Sequence, residues 1–139
     1  MEKLILRGNF KPLSINQAFV LLRNGRRVRS PAYQVFARRV LILLQLNKRG
    51  VSEFESSFDG NIHAIRGTLR IGVKNMLTKK STISEKSGDL DNCVKCLVDN
   101  VMVGKIDDSQ ITEWHLYKYE NNVDCFELTL EIYKRGEVE

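Results

Sequence analysis

Along this chain the apolar residues switch repeatedly between two spacings, and that switching limits the fold to helices packed on a sheet. Tyr33, Phe36, Ala37, Val40, Leu41 and Leu44 fall at helical spacing, and Val94, Leu97, Val98, Val101 and Met102 form an i, i+3, i+4, i+7, i+8 stripe. Phe126, Leu128, Leu130 and Ile132 instead alternate, so they point to one side of a half-buried strand. Stripes and alternating faces bury only against each other. The expected class is therefore α+β: a small mixed β-sheet with two main helices in a single compact domain covering residues 1–139.

Local chemistry sets the expected boundaries. Leu4-Ile5-Leu6 reads as a first strand ending at Gly8, and Pro12 marks the connector that follows. Asn24-Gly25 tolerates the positive φ of a type I′ turn, predicting a hairpin of Phe19–Arg23 with Arg26–Arg29. Ser30-Pro31 starts the first helix, with Ser30 as N-cap and Pro31 at its first position. Asn47-Lys48-Arg49-Gly50 reads as its stop, and residues 51–60 as a polar loop. Ile62 to Val73 is β-rich, Thr78 to Gly88 is a polar loop, and Gly104 suits a left-handed cap on the second helix. Strands over Ile111–Tyr119 and Val123–Tyr133 close the chain around a turn at Asn121-Asn122.

Composition removes whole classes of protein. The longest apolar run, Val40 to Leu44, is far below the roughly 20 residues of a membrane-spanning helix. Three cysteines make an odd count, which fits a reducing compartment better than a disulfide framework. With no signal-peptide layout at the N-terminus, the expected location is the cytoplasm, bacterial or that of a host cell if the protein is viral. The net charge of +5 conceals a division: residues 1–50 hold eleven Lys or Arg and one acid, Glu2, while residues 51–139 hold eleven basic residues and sixteen acids. A basic half beside an acidic half suggests a polyanion-binding surface next to a carboxylate-bearing site. Arg26, Arg27 and Arg29 on the hairpin, with Arg38 and Arg39 on the first helix, are suited to grip phosphates without reading bases.

The acids cluster where a loop enters the second helix. In an extended stretch Asp89 and Asp91 face the same side, and Asp91 is also a candidate N-cap for a helix beginning near Asn92. Lys95 lies at i+4 from Asp91, on the same edge. Asp107-Asp108 follows the helix and has the chain length to fold back toward Asp89. Magnesium takes hard oxygen ligands, so three carboxylates and a lysine suit phosphodiester hydrolysis. A helix cap, an i,i+4 surface pair and an acidic turn account for the same residues, and spacing alone leaves both accounts open.

The stretch Gly88-Asp89-Leu90-Asp91-Asn92-x-x-Lys95-x-x-x-Asp99, followed by Gly104 and Asp107-Asp108-Ser109-Gln110-Ile111, resembles the RusA family of Holliday junction resolvases. That family carries a D-x-D-N-x-x-K segment opening a helix and a D-D-x-Q-[IV] segment after it. Pro12-Leu13-Ser14-Ile15-Asn16 is similar to its N-terminal P-x-S-x-N segment. The resemblance implies a homodimer that binds four-way DNA junctions and nicks two strands symmetrically with Mg²⁺. By position it implies metal-binding acids at Asp89, Asp91 and Asp108 and a catalytic lysine at Lys95, with Asp107 ranked below its neighbour. Some members place an arginine before the first acid where this chain has Gly88, so a DNA contact from that spot falls to Lys86, Lys79 or Lys80. The rival expectations are a branched-DNA-binding protein that does not cut, and a nuclease preferring forks or flaps. A pure binder has no use for three carboxylates beside phosphate.

Cys93-Val94-Lys95-Cys96 is a C-x-x-C that, with Cys125 and His115, has the composition of a zinc site. It lies within an amphipathic helix without knuckle-type turn residues, which favours structural cysteines. His63, His115 and Trp114 read most simply as strand residues, Trp114 as partly buried packing.

Overall fold

The last strand, β6 (Cys125–Lys134), has the cleanest alternation in the chain, and in the computed structural model it occupies an interior position of a four-stranded sheet. The structure describes residues 2–83, 90–102 and 106–136. Strand β1 (Lys3–Gly8) runs antiparallel to β6 on one side, and β4 (His63–Val73) antiparallel to it on the other. Strand β5 (Ile111–Glu120) lies outside β4 and parallel to it, giving the mixed order β1-β6-β4-β5. Register places Leu4 and Leu6 beside Leu130 and Leu128, and Ile65, Leu69 and Ile71 beside Ile132, Leu128 and Phe126, all buried on one face. Each such side chain contributes about 1.5–3 kcal/mol by leaving water.

Three helices cover that face. Helix α1 (Pro31–Leu46) begins as its sequence predicts: Ser30 Oγ accepts the Tyr33 amide at 3.1 Å and donates to the Gln17 carbonyl at 2.6 Å. It ends at Leu46, where the Asn47 side-chain amide donates to the Leu43 carbonyl. The expected loop over residues 51–60 is not found there. Lys48–Ser57 forms helix α2, so the main helices among the described residues number three, and Gly50 lies inside one. Two apolar anchors, buried Phe54 and half-buried Val51, hold α2 to the core. They are too few to print a stripe in the sequence, so packing supplied what local pattern lacked. Helix α3 (Leu90–Val101) buries Cys93, Cys96, Leu97, Val98 and Val101 and carries the chain from β4 to its parallel neighbour β5.

Two turns also differ from expectation. Strands β2 (Phe19–Leu21) and β3 (Arg27–Arg29) do pair as a hairpin. Its loop has three residues: the Gly25 amide donates to the Leu22 carbonyl and the Leu22 amide to the Arg26 carbonyl, with Gly25 alone at positive φ (+83°). That is a turn closed by a left-handed glycine, not a two-residue type I′ turn. Asn121-Asn122 does not join a hairpin either, because β5 and β6 flank β4. The connection crosses the end of β4, where the Asn121 amide donates to the Val73 carbonyl and Asp124 accepts the Lys74 amide. Burial decided the pairing: the fully alternating β6 took the interior slot, and β5, with Glu113, His115 and Lys118, took the edge. Gly67 makes room there, since a Cβ at that position would stand 2.4 Å from the Trp114 ring, and Trp114 is thereby a packing residue. Within the expected 78–88 loop, Leu77 bridges Ile83 and the Thr78 amide donates to Thr82, with Lys79 and Lys80 at the tip. Residues 84–88 and the expected Gly104 cap lie outside the described residues.

Candidate active site

Helix α3 turns two faces to two tasks. Its apolar stripe seals the core, while Asp91, Lys95 and Asp99, each one turn from the next, form an exposed row. The helix opens at Leu90, so Asp91 lies within the first turn and is not the N-cap that its sequence suggested; its carboxylate accepts the Asn92 amide at 3.0 Å. A negative side chain is favourable there because it faces the unpaired amides of the helix start. Lys95 Nζ stands 3.4 Å from an Asp99 carboxylate oxygen. Asp89 and Lys86 lie outside the described residues.

The chain returns to this row just before β5. Asp107 caps a single 3-10 turn, Asp108–Gln110, by accepting the Ser109 amide at 3.1 Å. Its neighbour Asp108 shares a side-chain hydrogen bond with it, and the two carboxyls respond in opposite directions. That bond, with the Ser109 amide, holds Asp107 below the usual carboxylate range. Asp108 is pushed up, first by the bond to Asp107, then by lost hydration and the Asp107 charge, with Asp99 adding to the push and Lys95 opposing it. Asp108 is thus within electrostatic reach of Lys95 and Asp99: the later doublet and the helix row share one field.

Asp99 is the residue that sequence reasoning left without a role. Its signal was available, as the acid at i+4 from Lys95 within the helix-opening motif. Among the described residues no three His, Cys, Asp or Glu side chains converge as a metal-binding group. The donor chemistry nevertheless fits a hard divalent ion, since every acid in the row and the doublet offers carboxylate oxygen. The crowding that raises Asp108 is also what a cation would relieve.

The remaining sequence candidates separate cleanly. Arg27 lies over the Phe19 ring at 4.7 Å, Arg29 over Tyr33 at 4.8 Å and Arg39 over Phe10 at 5.6 Å, while Arg26 and Arg38 are exposed. None of these five makes an ion pair among the described residues. Lys79 and Lys80 are exposed at the tip of their turn. Cys93 and Cys96 are buried in the core, where lost hydration raises the Cys96 thiol, and Cys125 on β6 accepts from the Asn121 side chain. His115 is engaged with Glu113 on the opposite side of the sheet, and His63 accepts the Asp59 amide. The C-x-x-C, Cys125 and His115 are therefore not gathered into one zinc-like cluster.

Against known proteins, the model of the family described as Endodeoxyribonuclease RusA matches residues 9–132, nearly the whole chain. The chain belongs to that family. This RusA-family chain is accordingly an endodeoxyribonuclease, a hydrolase acting on DNA. No curated protein matches it. The matched span contains the row on α3, the acidic doublet and every arginine of the hairpin and α1. Enzymes of the RusA family are in general dependent on divalent metal. No described helix is long and apolar enough to cross a membrane.

Proposed function

We propose that this RusA-family enzyme resolves four-way DNA junctions in recombination and repair, in the cytoplasm, as a homodimer of one domain per chain over residues 1–139. Each subunit makes one of two symmetric nicks. A two-fold junction presents two equivalent strands, which a two-fold dimer meets with two equivalent sites. The observation that carries the reading is the electrostatic coupling of Asp108 to Lys95 and Asp99 on α3.

Asp89, Asp91 and Asp108 would hold Mg²⁺, with Asp107 caught up in capping its own turn. When bound, the ion supplies charge neutralisation at the phosphate and a water of lowered pKa. Lys95 directs its ammonium toward the phosphoryl oxygens, where negative charge grows as the bond to phosphorus forms. Asp99, one turn further along α3, holds that ammonium at the site's edge. Arg26, Arg27, Arg29, Arg38 and Arg39 hold the duplex arms by their phosphates, with Lys79, Lys80 and Lys86 contributing from the stretch of sequence before α3.

A synthetic four-way junction, incubated with the protein with and without Mg²⁺, tests this. Paired nicks only in the presence of the ion are expected, and Asp91→Asn abolishes them while junction binding survives. A parental protein that binds the junction and leaves it intact in Mg²⁺ would overturn the assignment, as would an Asp91→Asn variant cutting at the parental rate. Faster cutting of forks or flaps than of the four-way form would move the preferred substrate.

A further inference from the structure

Between α1 and Asn100 of α3 lies an open groove of about 430 Å³, bordered by two of the phosphate-holding arginines, Arg29 and Arg38, and otherwise lined by residues that phosphodiester cleavage leaves unused. Its volume falls in the range of sites for one small ligand, roughly 300–1,000 Å³, and is too small for a duplex. We propose that it receives a single unpaired nucleotide from the centre of the branched substrate and reads its base. The inference rests on the junction-cutting reading and adds to it a site of base recognition.

The lining has the parts such a site needs. Arg29 and Arg38 stand at the groove, both exposed, and no acid lies among the lining residues, so a phosphate is met only by positive charge. Arg29 spends one face of its guanidinium on the Tyr33 ring, leaving the other for a base plane. Ala37 and Leu41 supply an apolar surface for the same plane. Gln34 brings a side-chain amide, whose paired donor and acceptor match the edge of a nucleobase, and Asn100 brings an amide oxygen. The Asn100 amide nitrogen donates to the Cys96 carbonyl at 2.7 Å and to the Tyr33 hydroxyl at 3.3 Å, which fixes the amide plane. Its carbonyl oxygen is then the end held in place to accept from a base.

Position links the groove to the chemistry. Asn100 follows Asp99 on α3 and lies five residues beyond Lys95, about 7–8 Å along the helix axis and more than a third of a turn around it, on the side facing Tyr33. That is a reach of one or two nucleotides along a strand, at about 3.4 Å per step in a duplex and more when stretched. A branch point is where DNA gives up a stacked base at least cost, because its pairing and stacking are already interrupted.

The test places 2-aminopurine, which brightens on leaving the stack, at each of the two nucleotides on either side of the cut in a four-way junction. Whole protein is added in EDTA, and cleavage is then started with Mg²⁺. The expected result is a rise of about three-fold or more at one position, lost in Leu41→Trp, which fills the groove, and reduced in Gln34→Ala. Both variants should also flatten the dependence of cutting on the base at that position. A rise of equal size in both variants, or no rise at any position from a protein that then cuts the junction, overturns the inference and leaves the nuclease reading standing. A protein that neither binds nor cuts the junction overturns the nuclease reading, and the inference with it.

Discussion

The two surfaces of this molecule carry similar residue types and use them in opposite ways. On the sheet face away from the helices, three cations are paired with acids opposite them by strand register: Arg7 with Glu127 at 2.8 Å, Lys3 with Glu131 at 3.1 Å, and Arg66 with both Glu113 (2.8 Å) and Glu131 (3.6 Å), while Arg70 lies over the Tyr117 ring. Around the hairpin and α1, arginines meet aromatic rings, which orient a guanidinium without neutralising it. The first surface is largely closed by its ion pairs; the second keeps its charge for a polyanion. Lys95 stands between these cases, with one acid at the looser distance of 3.4 Å and over half of its side chain exposed. A single loose partner holds an ammonium in place and still leaves donors for phosphate.

If that contrast is sound, damage at the two surfaces should separate activity from stability. The largest effect is expected from Lys95→Met: junction cleavage falls by about 10²–10³-fold, the usual loss for one preorganised charge-stabilising donor. Its binding affinity and unfolding midpoint should stay close to the parent's. Single-turnover cleavage beside a binding titration checks this, and a comparable loss of both cleavage and binding would make Lys95 a mere phosphate anchor.

Arg66→Ala should do the reverse. Arg66 is only 17% exposed, stacks on Tyr133 at 4.1 Å and bridges acids from β5 and β6. Its loss leaves Glu113 with His115 alone and Glu131 with Lys3 alone, at a cost of about 1–3 kcal/mol. Urea unfolding reads that cost, and the single-turnover cleavage rate should not move. A cleavage defect larger than the stability loss explains would join the open sheet face to function.

How much of this contrast was legible beforehand depends on the range of the signal. The α1 start was readable because cap and proline act within one turn, and the β6 face because alternation is local. The α2 helix was not, because Val51 and Phe54 acquire meaning only against a core built by distant strands. The order of β5 and β6 was hidden for a related reason: neighbours in sequence favour a hairpin, and only competition for the interior slot separates them. At the site, the residue types and their spacing were visible in the Asp91-to-Asp99 stretch and the later doublet. That Asp107 spends its carboxylate on the Ser109 amide while Asp108 feels the charges of Lys95 and Asp99 is a matter of one turn's backbone geometry.

A smaller effect sharpens the charge comparison itself. Arg26→Ala with Arg27→Ala should flatten the slope of log affinity against log salt by about 0.9 for each phosphate that is no longer neutralised. Arg7→Ala, which removes the same kind of charge from a closed pair with Glu127, should leave the slope unchanged. Equal slopes in the two variants would mean that pairing does not distinguish the surfaces.

The smallest effect concerns pH. The bond to His115, and after it the bond to Arg66, hold the Glu113 carboxyl below the usual glutamate range. A carboxyl with a depressed folded value binds its proton more weakly than in the unfolded chain. Its contribution is therefore complete above the unfolded value, about 4.3, and fades as pH falls through the folded one. Glu113→Gln should lower the urea midpoint at neutral pH by less than Arg66→Ala does, since Glu113 is the more exposed partner. Once pH has fallen below the depressed folded value, where the parental carboxyl is protonated in both states, the two proteins should converge. A gap that persists unchanged into acid would show that Glu113 acts through the shape of its contacts and not its charge, and the open sheet face would then owe its closure to packing.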